Sequence, residues 1–432
     1  MTAKSTIHEA AREVPVGAEV DVLVAGGGPG GVAAVGAAAR AGASVLLIEQ
    51  YGCVGGMGTI GHVLTWSGSV RGGLFAEFKQ RVSGAGGLLA SGVGFDLEVT
   101  KRVMEQMLTE AGVRLRYHTF ACKSTVQDGT ITGVIAESKS GREAFLAERV
   151  IDATGDADVA ADAGCPFEKG RPEDGLLQPA SLMFRMGGVD TDRAPGIPSF
   201  ESRVELPKGD AHTLAREAVK AGKLPRNCEH VLIYHLPRPG QVLINMSNVT
   251  GIDGTSADDL TRAEVEGRSQ LEPIARFLRE NVPGFEEACV LDSGALVGIR
   301  ETRRVKGEYT LTIDDVLEAK AFPDGIVRAR FPVDIHDPRG HAGDSSRLPR
   351  GFYEIPYRCL IPLDVENLFI AGRPISATHE AHASLRVMPI CTAIGQAAGL
   401  AAALSVRESV HPRDLDVELL RSELRRAGAE LC

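Results

Sequence analysis

The chain has 432 residues, of which 44% are hydrophobic, and its formal net charge is −10. A chain of this length can bury a large core and suggests two or three domains. The acidic balance, with no long stripe of Lys and Arg, argues against a nucleic-acid partner or an anionic membrane surface.

The N-terminal segment, residues 1–20, carries Glu9, Arg12 and Glu13 and has no apolar run, which is unlike a secretory signal. The eight cysteines are scattered, without C-x-x-C or zinc spacing. Such a distribution is typical of reduced thiols in the cytosol. We therefore expect a cytoplasmic protein without a metal site.

Residues 21–49 contain a complete dinucleotide-binding pattern. An apolar strand, a glycine turn, an alanine-rich helix, a second strand and a terminal acid follow one another in order. Gly26, Gly28 and Gly31 satisfy G-x-G-x-x-G, which allows a tight turn and aims helix N–H groups at a pyrophosphate. Glu49 stands where a carboxylate binds a ribose hydroxyl. The pattern predicts a nucleotide cofactor.

The next 100 residues are predicted to complete this first domain. A glycine-rich region, 61–94, precedes an amphipathic helix, 96–111. Asp128-Gly129 and Ser140-Gly141 are hairpin signals and indicate a small antiparallel meander. The predicted strands are 114–119, 121–126, 130–137, 144–146 and 150–154.

From about residue 164 to residue 358 the pattern changes to prolines, charged helices and alternating strands. Leu271, Ile274 and Leu278 recur at helical spacing, and 231–234 and 242–246 are typical of paired strands. This texture predicts an inserted substrate domain.

The late segment returns to the texture of the first domain. Residues 366–372 form a strand that ends in glycine, and Pro389 opens a helix to about residue 406. Its most apolar stretch, 393–406, is too short to span a bilayer and is expected to be buried. Gly395 and Gly399, four residues apart, would let this helix approach a neighbour closely. The predicted domains are thus 1–163, the insert 164–358, the return 359–410 and a C-terminal helix, 411–432.

With these motifs in place, the sequence resembles the FAD-dependent oxidoreductase family of the glutathione-reductase-type two-dinucleotide-fold flavoproteins, over nearly its full length. The stretches that carry the resemblance are 26–31, Glu49, Gly55-Gly56, 151–156, 298–304, 367–373 and 384–399.

The resemblance implies an α/β fold. Its Rossmann-like FAD-binding domain, a parallel sheet with a small antiparallel meander, would be interrupted by an inserted α+β substrate domain. FAD would lie extended, with its adenosine end at Gly26 to Glu49 and its isoalloxazine near the helix that Pro389 opens. Relatives in the wider superfamily carry Gly-Asp at the late strand, whereas this chain has Gly372-Arg373.

The residues expected to bind FAD lie in these motifs or within three residues of them. They are Gly26, Gly28, Pro29, Gly30, Gly31, Glu49, Gln50, Gly55, Gly56, Thr59, Ala153, Thr154, Gly155, Gly372, Arg373, Arg386, Met388 and Pro389. No second glycine triplet opens a helix, so a separate NAD(P)H domain is not expected.

Three residues are candidates for catalysis. His379 and His382 lie between the late strand and the late helix, and imidazole titrates near working pH, which suits a general base. The alternative is that they hydrogen-bond backbone in the loop. Arg300 could bind a substrate carboxylate, or the arginines of 300–304 could form ion pairs with Glu301 and Glu308.

These features predict an oxidoreductase that moves hydride to flavin N5 from a C–H bond beside a hydroxyl or amine of a small polar substrate. An anionic substrate would suit Arg300. Oxygen, a quinone or a partner protein would reoxidise the flavin. The alternatives are a flavin monooxygenase or ene-type reductase, and a non-catalytic electron-transfer subunit, which the missing iron–sulfur spacing disfavours. A homo-oligomer stays open.

Overall fold

The computed structural model describes residues 6–340 and 343–431. The outermost residues of the predicted first and last domains, 1–5 and 432, lie outside the described residues, as do 341–342 of the predicted insert. The described strands are β1 (Val16–Ala25), β2 (Val45–Ile48), β3 (Ser69–Val70), β4 (Arg114–Arg116), β5 (Thr119–Gln127), β6 (Thr130–Ser138), β7 (Gly141–Asp152), β8 (Phe167–Lys169), β9 (Phe184–Gly187), β10 (Glu205–Leu206), β11 (Gly209–Asp210), β12 (Ile233–His235), β13 (Val242–Ile244), β14 (Cys289–Ser293), β15 (Arg303–Val305), β16 (Gly325–Arg330), β17 (Tyr353–Pro356) and β18 (Leu368–Ile370). The described helices are α1 (Pro29–Arg40), α2 (Gly73–Gly84), α3 (Leu97–Glu110), α4 (Asp158–Asp162), α5 (Ala211–Lys220), α6 (Ala257–Asn281), α7 (Ile313–Leu317), α8 (His379–Leu385), α9 (Met388–Arg407) and α10 (Val417–Arg426).

The main sheet has the strand order β4-β2-β1-β7-β6-β5, with β18 also paired to β7. The pairs of β1 with β2 and β7, and of β7 with β18, are parallel, whereas β5, β6 and β7 form an antiparallel meander. Parallel strands joined through helices are the Rossmann-like arrangement. The predicted α/β fold class is confirmed, and the domain boundaries stay predictions.

The strand β7 is longer than the sequence suggested. The separate strands predicted at 144–146 and 150–154 form one strand, Gly141–Asp152. The prediction was wrong because β1 begins already at Val16 and pairs with β7 as far as Asp152, which keeps the intervening polar residues extended. Continuous β7 therefore links the meander to the centre of the sheet.

The glycine-rich region 61–94 contains a helix that the sequence analysis did not predict. α2 buries Leu74, Phe75, Phe78 and Val82 at helical spacing, and Phe75 and Phe78 pack on Trp66. The apolar pattern of this helix is short and lies among many glycines, which are unfavourable in helices, so the sequence did not indicate a helix. The helix covers part of the main core.

The insert builds its own core. Its sheet has the order β12-β13-β9-β14, and the predicted pair of strands is present as antiparallel β12 and β13. The helical spacing around Leu271 belongs to the long helix α6, which Ser256 caps and which contains Pro273. Buried residues of these elements, such as Phe184 and Ile274, form a hydrophobic cluster separate from the main one.

The late helix α9 crosses α1 at unusually short distance. A Cβ on Gly395 would lie 1.9 Å from Gly30 O, and one on Gly399 would lie 1.9 Å from Ala34 O. The predicted close approach at Gly395 and Gly399 is therefore confirmed. α9 is the one described helix that is long and apolar enough to cross a membrane, and 89% of its most apolar window is buried inside the molecule.

Candidate active site

The first glycine turn leaves no room for side chains. Gly26 has φ +98°, and its Cβ would lie 2.5 Å from Ala153 O, while a Cβ on Gly31 would lie 1.8 Å from Gly26 O. A Cβ on Gly28, in contrast, would meet nothing within 4 Å. The turn is thus packed tightly against the sheet behind it and open in front, at the N-terminus of α1, where a pyrophosphate would bind.

Glu49 closes this turn from the end of β2. Its Oε2 accepts a hydrogen bond from Gly27 N at 2.5 Å, and its Oε1 accepts one from Tyr51 N at 2.8 Å. Burial raises the pKa of the Glu49 carboxyl, and the backbone hydrogen bonds oppose that shift. The carboxylate stands where it could accept ribose hydroxyls, while the side chain of Gln50 beside it is exposed.

A second loop packs onto the same turn. Gly55 N donates to Gly27 O at 2.7 Å, and a Cβ on Gly56 would lie 3.0 Å from Gly28 Cα. Thr59 Oγ1 donates to Val54 O at 2.8 Å and fixes the loop internally. This loop would cover the diphosphate side of the cofactor.

The later motifs reach the turn from the other side. Ala153 N donates to Ala25 O at 2.8 Å, and Thr154 Oγ1 donates to Asp152 at 2.7 Å. A Cβ on Gly30 would lie 3.1 Å from Gly372 Cα. The cofactor motifs, which are spread over some 350 residues of sequence, therefore meet in one place. The open cradle, the helix N-terminus and the carboxylate together fit an extended dinucleotide.

The N-terminus of α9 lies beside the second loop. A Cβ on Gly58 would lie 3.0 Å from Met388 Sδ, and a Cβ on Gly298 would lie 4.0 Å from Met57 Sδ. Pro389 occupies the first turn of the helix. These contacts bring α9, the loop and the segment that leads to Arg300 together, and the resemblance puts the isoalloxazine near them.

Arg373, which replaces the acid of the wider superfamily, is paired. Its Nη2 lies 2.6 Å from Asp156 Oδ1, which also accepts a hydrogen bond from Thr302 Oγ1 at 2.8 Å. A Cβ on Gly155 would lie 3.1 Å from the same guanidinium. Asp156, one residue after the Gly155 motif, thus brings an acid to the place where the late strand lacks one.

A buried ion network surrounds one of the predicted catalytic histidines. His379 Nδ1 lies 2.8 Å from Glu301 Oε1, and Arg304 Nη1 donates to the same oxygen. Glu301 is 1% exposed. His382 is completely buried, and burial lowers its pKa well below the usual value. The alternative to substrate binding was that the arginines of 300–304 form ion pairs with Glu301 and Glu308. Arg304 does pair with Glu301, whereas Glu308 pairs with Arg413.

Arg300 and Arg386 meet in a second group, which we call the arginine cluster: Gln178, Arg300, Asp334, His336 and Arg386. Arg386 Nη2 donates to Asp334 O and to Asp334 Oδ2, both at 2.9 Å. Burial first, and then the charge of Arg386, lower the pKa of Arg300 to about 10. Gln178 joins the cluster to the ion network, because its N–H points to Glu301 and its Oε1 accepts from His336 N at 3.2 Å.

The sequence analysis missed Gln178, Asp334 and His336. They lie outside the helices and strands, so neither apolar period marks them. The spacing Asp334-Ile-His336 is the only local signal, and it is short and unspecific. The predicted bases His379 and His382 stay predictions.

Buried histidines of the insert should make stability depend on pH. Phe200 packs edge-on against His230 and His336, at 4.9 Å and 5.2 Å between ring centroids. Burial first, and then the charge of His212, lower the pKa of His230 from 6.5 to about 4. The unfolded chain therefore takes up a proton below pH 6.5 that the folded chain does not, so stability is full above this pH and falls towards pH 4.

We expect His230→Gln to remove the share of this acid sensitivity that His230 contributes. Between about pH 7.5 and about pH 5, the loss in free energy of unfolding should be smaller than in the parent protein by about 2 kcal/mol. Chemical denaturation at the two pH values measures it. Equal losses in the variant and the parent protein would show that His230 titrates normally in the folded state.

Comparison with known proteins gives one family and several distant folds. The family model described as FAD dependent oxidoreductase matches residues 21–424. No curated protein sequence is significantly similar to the chain. A geranylgeranyl bacteriochlorophyll reductase-like protein from Thermoplasma acidophilum is 15% identical, with 95% of this chain and 83% of that chain covered and a TM-score of 0.48.

Two further solved structures show similarity of the same order. An aromatic hydroxylase from angucycline biosynthesis is 14% identical, with 94% of this chain and 65% of that chain covered and a TM-score of 0.46. The p-nitrophenol 4-monooxygenase from Pseudomonas putida is 11% identical, with 95% and 81% covered and a TM-score of 0.43.

Proposed function

Because the chain belongs to the FAD-dependent oxidoreductase family, we propose that it oxidises a C–H bond beside a hydroxyl or amine of a small polar substrate. FAD is the cofactor, and the chemistry it supplies when bound is hydride acceptance at N5 of the isoalloxazine. The amide groups at the N-terminus of α1 would hold its pyrophosphate, and Glu49 its ribose. The N-terminus of α9 would stabilise negative charge at the pyrimidine edge of the ring.

One observation supports this proposal: Arg300 and Arg386 stand next to Gly298 and Met388, two residues at the place where the ring is expected. Arg300 follows Gly298 by two residues, and Arg386 precedes Met388 by two. Such groups orient a polar molecule, and a neutral imidazole accepts the proton that leaves a hydroxyl or an amine. His336 has that form at neutral pH, because burial, with the charge of Arg300, lowers its pKa to about 4.

The proton acceptor itself is part of the proposal. His379 was predicted for this role, and the carboxylate of Glu301 lies 2.8 Å from its Nδ1 and orients the ring. His336 is a second candidate at the edge of the arginine cluster. His382 has no exposed surface, so it would act only through a neighbour.

An anaerobic reduction screen tests the function. The FAD-loaded protein is mixed with 2-hydroxy acids, amino acids, sugars and amines, without NAD(P)H, and flavin absorbance is followed. We expect at least one class to bleach the flavin, and oxygen or a quinone to restore the colour. Reduction by NAD(P)H alone would favour a monooxygenase or ene-type reductase, and a protein that no donor reduces would favour the electron-transfer subunit.

We also propose an electron acceptor and a cellular compartment for the reaction. The acceptor would be oxygen, a quinone or a protein, and the protein would work in the cytoplasm, as its composition suggests.

A further inference from the structure

We propose that Arg300 and Arg386 bind a carboxylate of the substrate, so that the substrate is a hydroxy acid or an amino acid rather than a neutral sugar or a simple amine. The assignment rests on the proposed function and specifies its substrate class. Asp334, His336 and Gln178 complete the site.

The guanidinium of Arg300 is held in place by neutral groups. Its Nη1 donates to Pro179 O at 2.6 Å, and its Nη2 donates to Ser181 Oγ at 3.0 Å. Among residues 6–340 and 343–431, no carboxylate lies within ion-pair distance of it. A buried cation fixed in this way keeps its charge, and Asp334 acts on it only from beyond ion-pair distance.

Among the described residues, Asp334 is the one carboxylate that pairs with Arg386, and it belongs to the arginine cluster. Arg386 Nη2 donates to the backbone oxygen and to Oδ2 of Asp334. The other carboxylate oxygen of Asp334, Oδ1, lies 3.5 Å from His336 Nε2. In the part of the chain that the structure describes, the Arg386 Nε atom is buried without a hydrogen-bond partner. An unmet buried donor of this kind is costly, and a bound acceptor would remove the cost.

The charges in the cluster do not balance. Arg300 and Arg386 bring two positive charges, Asp334 brings one negative charge, and His336 is neutral at pH 7. The neighbouring ion pairs do not supply the missing charge, since Glu301 is bound by Arg304. One carboxylate would complete the balance, whereas a phosphate dianion would exceed it. Guanidinium groups also match the two oxygens of a carboxylate in geometry.

Gln178 is an independent sign of a ligand. The residue is 3% exposed, and its Oε1 is used by His336 N. Its Nε2 is buried and has no partner among the described residues. Buried amide donors are nearly always satisfied, so this group is suited to donate to a carboxylate or hydroxyl oxygen of a bound acid.

Binding without turnover tests the assignment. The FAD-loaded protein is titrated with acetate, glycolate and benzoate, and with the matched neutral amides acetamide, glycolamide and benzamide. Calorimetry and the perturbation of flavin absorbance report the dissociation constants. We expect at least one carboxylate to bind about tenfold or more tightly than its amide, since hydrogen bonds to charged groups contribute about 1.5–3 kcal/mol.

Variants locate the effect. Arg300→Gln and Arg386→Gln should each weaken carboxylate binding by about tenfold or more and leave amide binding unchanged, and Arg386→Lys should recover part of the loss. Arg350→Gln, at a side chain that is 75% exposed, is the matched control and should change neither. If a Gln variant does not fold, the comparison of carboxylates with amides in the parent protein still tests whether the site binds a carboxylate.

Equal affinities for carboxylates and amides would overturn the assignment. It would also be wrong if the Gln variants shifted the flavin redox potential with carboxylate affinity unchanged, because the arginines would then serve the reduced flavin. A protein that binds carboxylates but is reduced by no donor would contradict the proposed function alone. Rapid reduction by neutral sugars, without carboxylate binding, would contradict the substrate class alone.

Discussion

Gly399→Ala should destabilise the protein by about 3 kcal/mol or more and weaken FAD binding, because one added methyl group would force α1 and α9 apart. The Cβ would lie 1.9 Å from Ala34 O, a backbone atom that no side-chain rotation can move. The N-termini of both helices lie at the candidate cofactor site, so we expect separation of the helices to disturb the predicted diphosphate and ring ends together. The free energy of chemical unfolding and the FAD dissociation constant measure the two effects.

Gly36→Ala is the matched control for this prediction. The residue lies in α1, and its Cβ would meet only Leu108 Cδ2, at an ordinary 3.6 Å. Alanine is favoured over glycine in a helix by about 1 kcal/mol, so this variant should be as stable as the parent protein or more stable. Equal losses for the two substitutions would mean that the helix crossing is looser than its geometry indicates.

The backbone geometry of the candidate cofactor site was largely predictable from sequence because its parts are local. The turn from Gly26 to Gly31, the acid Glu49 and the spacing of Gly395 and Gly399 each state a backbone requirement within a few residues. Each glycine marks its requirement in the sequence, since only glycine tolerates such close backbone contacts.

The rest of the site depends on contacts between distant segments, which sequence spacing does not encode. Gln178, Asp334 and His336 come from irregular segments that the insert brings to Arg386. Arg300 was recognised, but its neighbour Arg386 was not linked to it, because 86 residues of sequence separate them. Likewise, the pairing of β1 with β7 from Ala144 to Asp152 is a tertiary effect that overrides the polar residues between the predicted strands.

The buried carboxylate of Glu301 leads to the second large effect. Glu301→Gln should destabilise the protein by about 3 kcal/mol, because among the described residues it leaves the buried guanidinium of Arg304 with no carboxylate nearer than Glu168, whose Oε2 lies 3.9 Å from Arg304 Nη2. Arg304 is 3% exposed, and its Nε and Nη2 donate to the carbonyl groups of Ala377 and Gly170. The free energy of chemical unfolding near neutral pH measures the loss.

Two controls separate the charge effect from a general packing defect. The double variant Glu301→Gln with Arg304→Met removes both charges and should recover most of the loss, since an apolar replacement of a buried ion pair is often neutral. Glu408→Gln removes a carboxylate from an exposed pair with Arg407 and should cost no more than about 1 kcal/mol. A double variant as unstable as the single one would show that Glu301 acts through the ring of His379 or the N–H of Gln178 rather than through Arg304.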